Sequence, residues 1–219
     1  MKITNELYGF PWTDYRANNC NTYLIMGEKK ILIDPGHYEL IDHVTTQLRG
    51  LSLQPDDMDL VIVTHAHPDH MEGARVFSPT PALIAMHAME FGFFQDRAPL
   101  DGSATGAIGF RPDLLLQEGE LNVGEMVFHV FHTPGHSPGS LCLYWPQRRA
   151  LFSGDVIFHQ GLGRTDLPGG NGEELKASIK RISRLDAEHL LPGHGEWISG
   201  RDRVQSNFEQ VESLWFAYL

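Results

Sequence analysis

The chain has 219 residues, and its 17 lysines and arginines against 28 aspartates and glutamates give a formal net charge of −11. This acidic balance argues against a nucleic-acid partner, because binding to phosphates requires a basic surface. Residues 1–6 lack the apolar core of a signal peptide, and no apolar run approaches the roughly 18 residues of a membrane span. We therefore expect a cytoplasmic protein without membrane contact, folded as a single domain over residues 1–219.

The first half of the chain predicts strands and helices in alternation. Two apolar runs at residues 22–26 and 30–34, around a turn that contains Gly27, predict a β-hairpin. The apolar spacing over residues 37–48, stopped by Gly50, predicts a helix. Residues 60–63 form a continuous β-branched and leucine run, which is typical of a strand buried on both faces, and residues 82–86 predict another strand.

The second half repeats this order of elements. Strands are predicted at residues 114–117 and 126–131, a hairpin at 141–145 and 150–152, a helix at 173–185, a strand at 189–191 and a last helix at 202–216. Each half thus has a hairpin followed by aspartate (Asp34, Asp155), then a helix, then a short strand that ends near histidine (His65, His194). This internal pseudo-repeat predicts two sheets.

Residues 95–111 show no hydrophobic period and contain three glycines, which is typical of a loop. A loop of this length in a compact domain is often a lid over a site, and a solvated excursion without a role explains it equally well.

The residues with the clearest chemistry follow the buried strand, in the segment Thr64-His65-Ala66-His67-Pro68-Asp69-His70. Side chains alternate along an extended segment, so His65 and His67 point to the same side and can reach one metal ion. Pro68 then changes the chain direction, so the side chains of Asp69 and His70 point to a different position from those of His65 and His67. Core packing can explain one histidine but not three at this spacing, and we therefore interpret the cluster as metal ligands.

Three further candidate ligands lie beside glycines at predicted strand ends: His136, Asp155 and His194. Glycine lets the backbone bend and aim a side chain. Each of the three is a weak signal alone, whereas the set in this order is strong. Asp34 is interpreted as a turn residue or as an acceptor for the second ring nitrogen of a ligating histidine, and Arg164 and Asp166 as an ion pair that fixes a loop.

These motifs are identified as those of the metallo-β-lactamase superfamily, whose mark is His-x-His-x-Asp-His followed by separated His, Asp and His. More narrowly, the chain resembles the glyoxalase II-like hydrolases, because residues 152–158 and the segment from Gly163 to Gly170 are similar to the stretch that follows their bridging aspartate. Full glyoxalase II enzymes carry a further C-terminal helical region that helps to hold glutathione, and this chain is expected to be a short form without it.

The resemblance implies an α/β fold, a four-layer αβ/βα sandwich of two mixed β-sheets flanked by helices, with a two-metal site at one edge of the sheets. It implies that one ion is held by His65, His67 and His136, that the other is held by Asp69, His70 and His194, and that Asp155 bridges them. It also makes Asp69 and Asp155 the candidate catalytic carboxylates. This nitrogen-rich set favours two zinc ions, and its carboxylates leave iron or manganese open.

The activity implied by the resemblance is hydrolysis of a thioester or a related small acyl substrate by a hydroxide shared between the ions. One alternative is an oxidoreductase like the persulfide dioxygenases, which share the fold and the segment Gly163-Arg164-Thr165-Asp166 but use a single iron. Phosphodiesterase, lactonase and β-lactamase activities are further alternatives within the superfamily. A protein that binds metal only for structure is disfavoured, since four ligands satisfy a structural zinc. We expect a small-molecule substrate, and the sequence leaves the oligomeric state open.

Overall fold

The computed structural model describes residues 1–95 and 109–219 and divides into two compact units, Met1–Leu116 and Gln117–Leu219. The loop predicted over residues 95–111 falls mostly on residues 96–108, outside the described residues, so its suggested role as a lid stays a prediction. The assignment of residues 1–219 to a single domain likewise stays a prediction.

The first unit contains a mixed six-stranded sheet with the strand order β1-β2-β3-β4-β5-β6. β1 to β3 pair in antiparallel fashion, whereas β3 to β6 run parallel to one another. The strands are β1 (Leu7–Phe10), β2 (Thr22–Met26), β3 (Lys30–Ile33), β4 (Leu60–Val63), β5 (Leu83–His87) and β6 (Leu114–Leu116). The helices described in this unit are α1 (Asp42–Gly50), α2 (Pro68–Met71) and α3 (Ala88–Gln95).

Burial explains why the first unit adopts these elements. All four residues of β4 are buried, as its unbroken apolar run predicts. Val44 and Leu48 lie one turn apart on α1 and are both buried in the core of this unit. The helix predicted over residues 37–48 is in fact divided, because a 3-10 turn at Tyr38–Leu40 precedes α1, a common arrangement at helix N-termini.

The second unit contains a six-stranded sheet with the order β14-β13-β10-β9-β8-β7. Only β10 and β13 pair in parallel fashion among its strands, and the other neighbours are antiparallel. Its strands are β7 (Gly119–Val123), β8 (Met126–His132), β9 (Leu141–Trp145), β10 (Ala150–Gly154), β13 (His189–Pro192) and β14 (Ile198–Ser199). A separate two-stranded ribbon consists of β11 (Ile157–Phe158) and β12 (Gly161–Leu162).

Two helices cover this second sheet, α4 (Gly172–Ile182) and α5 (Arg201–Trp215). The side chain of Asn171 accepts hydrogen bonds from the backbone of Glu173 and Glu174, which satisfies two amides at the start of α4. Leucine, isoleucine, valine and phenylalanine side chains of both helices form the core of the unit together with residues of β9, β10 and β13. No helix in the described parts of the chain is long and apolar enough to cross a membrane.

The predicted fold class, an α/β protein with two mixed β-sheets flanked by helices, is confirmed. The predicted repeat is also present, because β3-α1-β4 and β10-α4-β13 are both strand-helix-strand segments with parallel strands. In such units the carboxyl ends of the two strands lie at the same edge of the sheet. In each unit this edge carries the residues that the sequence predicts as metal ligands.

Candidate metal centre

The first ligand pair lies directly after β4. His65 is buried, and its Nε2 lies 3.0 Å from Nδ1 of His67. Nδ1 of His65 lies 3.1 Å from the hydroxyl oxygen of Thr64. Two ring nitrogens at such a distance are suited to a shared cation, because each neutral imidazole offers one lone pair. The arrangement agrees with the expectation that His65 and His67 address one point.

Pro68 opens α2 and turns the chain, so that Asp69 and His70 occupy the first helical turn after the pair. The ligand atoms of Asp69 and His70 lie within 4.8 Å of each other, and so do those of His65 and His70. His70 is fully buried, and the side chain of Asp69 is nearly so. The four ligands predicted in the first unit therefore form one compact group.

Asp34 supports this group from the end of β3. Its carboxylate accepts hydrogen bonds from the backbone N–H and the hydroxyl of Thr64, at 2.8 and 2.7 Å. Nδ1 of His70 lies 2.9 Å from Oδ2 of Asp34 and acts as the donor, since a carboxylate can only accept. This bond fixes the tautomer of His70 and leaves Nε2 as the ring atom with a lone pair for a metal. Of the two interpretations from sequence, the contact supports the role of acceptor.

Sequence reasoning missed two residues that hold this group. The buried carboxylate of Glu90, on α3, accepts a hydrogen bond of 2.8 Å from the backbone N–H of Ala66, between the first two histidines. The side-chain amide of Asn18 donates to Asp69 over 2.8 Å. Glu90 in a mostly apolar helix could have served as a signal, because a buried carboxylate needs a partner. No local pattern marks Asn18.

The second unit brings the other three predicted ligands together around Asp155, which follows β10. Nε2 of His136 lies 3.6 Å, and Nε2 of His194 3.3 Å, from the same oxygen of Asp155, Oδ2. Nδ1 of His136 donates to the backbone carbonyl of Arg164 over 2.8 Å, which again leaves Nε2 for a metal. Two imidazoles on one carboxylate oxygen agree with the bridging role that the family resemblance implies for Asp155.

The glycine-rich segment after β12 is shaped by its approach to these ligands. A Cβ at Gly163 would lie 1.8 Å from the carbonyl oxygen of Asp155 and 3.0 Å from Nδ1 of His136, so no larger residue fits. Arg164 and Asp166 form the predicted ion pair, with two bonds of 2.7 and 2.6 Å. The guanidinium lowers the pKa of the Asp166 carboxyl to about 2. The carbonyl that accepts from His136 thus belongs to a residue whose neighbour, Gly163, packs against Asp155 and whose own side chain pairs with Asp166.

The predicted ligands of each unit suit divalent transition metals. The first unit supplies three imidazoles and one carboxylate, the second two imidazoles and one carboxylate, and nitrogen-rich ligands with some oxygen suit zinc and iron. Four of these ligands belong to the first unit and three to the second, each group gathered within its own unit. Because His70 and His136 each donate Nδ1–H to an oxygen, their Nε2 atoms have the form that metal ligation needs.

Comparisons with known proteins identify the class. A sequence profile described as the metallo-β-lactamase superfamily matches residues 15–198, and the chain belongs to that superfamily. An uncharacterized protein of Aquifex aeolicus is 39% identical over 204 residues, 88% of this chain and 92% of its own length. A probable metallo-hydrolase of Bacillus subtilis is 35% identical over 184 residues, 80% of this chain and 84% of its own.

A hydroxyacylglutathione hydrolase of Francisella tularensis is 27% identical over 176 residues, which are 78% of this chain and 64% of that enzyme. The chain therefore spans less than two thirds of this relative. This hydroxyacylglutathione hydrolase and the metallo-hydrolase of Bacillus subtilis support the assignment of the chain to the glyoxalase II-like subgroup, which the sequence motifs indicate.

Two solved structures have the same fold. BLEG-1, a B3 metallo-β-lactamase, superimposes with a TM-score of 0.72 at 32% identity, over 94% of this chain and 96% of that one. TTHA1623, solved in a di-iron-bound form, gives a TM-score of 0.67 at 30% identity, over 89% and 92%. This second structure shows that the fold accepts iron in a relative, which is in line with the mixed nitrogen and oxygen ligands here.

Proposed function

We propose that the chain is a hydrolase with a two-metal centre and that it cleaves the thioester bond of a small acyl substrate. His65, His67 and His136 would hold one ion, Asp69, His70 and His194 the other, and Asp155 would lie between them. The observation that carries the proposal is the convergence of His136 and His194, the two predicted imidazole ligands of the second unit, on Oδ2 of Asp155. A bridging carboxylate must offer its charge to two ligand sets at once, and the approach of one imidazole from each proposed set to Oδ2 supports that role.

Divalent ions held by these residues would supply a water whose pKa is lowered to about 7 and a Lewis acid for the carbonyl oxygen. The ligands of this chain set the charge of the centre. Five neutral imidazoles add none, and two carboxylates offset two of the four positive charges of a divalent pair. The remaining charge of +2 would favour the anionic intermediate and the negative charge that develops on the sulfur before it is protonated.

The side chains of the chain position the reactants and move the proton. In hydrolysis a C–O bond forms to the attacking water, the C–S bond breaks, and one proton passes from the water to the departing sulfur. We assign the proton transfer to the carboxylate of Asp69, which lies beside His70 at the start of α2. The carboxylate of Asp34 and the carbonyl of Arg164 hold the rings of His70 and His136 still, so that little reorganisation accompanies the reaction.

The thioester class is supported by the motif segment after Asp155 and by the hydroxyacylglutathione hydrolase among the relatives. The acidic surface supports a small substrate over a nucleic acid. The same segment, Gly163-Arg164-Thr165-Asp166, also favours the second candidate, a persulfide dioxygenase with one iron. That activity would require ligation of a single ion and consumption of oxygen.

Metal content and activity of one preparation separate these candidates. The protein is expressed with zinc and iron both available, analysed for both elements, and assayed with S-lactoylglutathione and with glutathione persulfide. Two ions per chain with thioester turnover are the expected result. One iron, no thioester turnover and oxygen uptake with the persulfide would overturn the hydrolase in favour of the dioxygenase. Two ions without turnover would keep the metallohydrolase and overturn the thioester assignment.

A further inference from the structure

The loop that precedes β2 reaches one of the proposed ligands. Nδ2 of Asn18 lies 2.8 Å from Oδ2 of Asp69, although the two residues are 51 positions apart in the chain. The amide must present its N–H₂ group there, because its carbonyl oxygen would repel a carboxylate. The contact is therefore a charge-assisted hydrogen bond, roughly twice as strong as a neutral one.

The residues on either side of Asn18 are held by contacts that do not involve Asp69. The backbone N–H of Trp12 donates to Oδ1 of Asn21, and its indole N–H donates to the carbonyl of Ala17, at 3.0 and 2.8 Å. The Trp12 ring also packs edge-on against the ring of His43, with 5.2 Å between centroids. Both Ala17 and Asn21 are thus bound to Trp12, which restricts the positions that Asn18 between them can adopt.

From this geometry we infer that Asn18 is a positioning residue that orients Asp69 for metal binding, an inference that rests on the two-metal function proposed above. A hydrogen bond to Oδ2 restricts rotation of the carboxylate about its Cβ–Cγ bond. Asp69 then meets its ion in one orientation instead of several. Loss of such a partner of a metal ligand typically costs ~10–100-fold in metal affinity.

Replacement of Asn18 should lower the affinity for one of the two ions only. Asp69 belongs with His70 and His194 in the proposed ligand sets, so the ion of His65, His67 and His136 should be little affected. Asn18 is exposed, and its replacement should leave the folding of the first unit intact. A role in packing would have the opposite signature, since it would lower stability and affect both ions alike.

The test uses two variants that lack the donor, Asn18→Ala and Asn18→Leu, the second of which keeps the branched shape. Arg16→Ala is the matched control, because Arg16 is exposed on the same loop and pairs with Asp14 at 2.8 Å. Zinc affinities of both sites are measured by competition with a chromophoric chelator, and thermal unfolding is followed without metal. We expect both Asn18 variants to lose ~10–100-fold at one site, with the other site and the melting temperature unchanged.

A double-mutant cycle with Asp69→Ala identifies the contact responsible. In that background Asn18→Ala should cause no further loss of metal affinity, because the side chain that accepts from Asn18 is gone. Unchanged affinities in both Asn18 variants, or an equal loss in the Asp69→Ala background, would overturn the inference while leaving the two-metal proposal standing. Fewer than two zinc ions in the unmodified protein would overturn the two-metal proposal and this inference with it.

Discussion

β3 in the first unit and β10 in the second are built alike and end differently. Each runs parallel to the next strand across a helix, and each is followed by an aspartate. Asp34 accepts three hydrogen bonds, two from Thr64 and one from His70. Asp155 instead faces the Nε2 atoms of two predicted ligands.

The neighbours of each carboxylate explain this difference. Thr64 follows β4 and supplies two donors that occupy Asp34, so the carboxylate has become part of the support for a ligand. The matching position after β13 carries Gly193, which has no side chain to donate. The same strand end can thus supply either a ligand or its support, depending on which donors the adjacent strand offers.

The largest effect is expected at Asp155. Asp155→Asn keeps the shape of the side chain but removes the charge that both imidazoles face. Because several kcal/mol of charge stabilisation are at stake and about 1.4 kcal/mol is a factor of ten, we expect kcat/KM for the thioester to fall at least ~10³-fold. Steady-state kinetics with metal analysis checks this, and activity within tenfold of the unmodified protein would contradict the bridging role.

Asp34 should respond more mildly. Its backbone has a φ of 53°, a left-handed conformation that asparagine also tolerates, so Asp34→Asn should fold. The variant retains an acceptor but loses the charge that orients His70, and we expect metal affinity to fall ~10–100-fold. Chelator competition measures this loss. If Asp34→Asn lowered the metal affinity as much as Asp155→Asn does, the distinction between Asp155 as a ligand and Asp34 as the support of a ligand would be wrong.

The predicted ligands were accessible from the sequence because histidine spacing and flanking glycines are local signals. Asn18 and Glu90 were not, since their partners Asp69 and Ala66 are 51 and 24 residues away. The sequence also did not predict β1 and β7, each of which lies at the edge of its sheet. The five residues of β7 are all partly or fully exposed, so its sequence lacks the apolar alternation by which strands are recognised.

Two closely packed glycines, one in each unit, allow a comparison of how much a substitution lowers the free energy of unfolding. Gly135 has a φ of +130°, and a Cβ there would lie 2.2 Å from the backbone nitrogen of Leu175. We expect Gly135→Ala to lower the free energy of unfolding by ~2 kcal/mol or more. Gly73→Ala, in the first unit, should cost less, because a Cβ there would meet the Pro35 carbonyl oxygen at 2.5 Å and Cδ1 of Ile41 at 2.8 Å but no left-handed φ would add strain.

Gly50→Ala is the control for these glycine variants. It lies in α1 with open space around it, and we expect it to stabilise the protein by ~0.5–1 kcal/mol. Urea unfolding of the metal-free protein measures all three variants. Equal losses for Gly135→Ala and Gly73→Ala would show that backbone conformation contributes little.

The smallest effect is expected at His189, at the start of β13. Burial lowers the pKa of its imidazole below the usual value of 6.5, so the unfolded chain binds a proton that the folded one resists. Stability from this group is therefore lost as the pH falls through 6.5 toward the folded pKa. His189→Gln should flatten this part of the pH profile of the metal-free protein, and an unchanged slope would contradict the assignment.

The division of the sheets along the chain has a consequence for biosynthesis. Each six-stranded sheet takes its described strands from one unit, and four of the seven predicted ligands precede residue 117. At a ribosomal rate of roughly 5–20 residues per second, the 103 residues from Gln117 to Leu219 take about 5–20 s to be made. During that interval the nascent chain can complete its first sheet and already offer His65, His67, Asp69 and His70 to a metal ion.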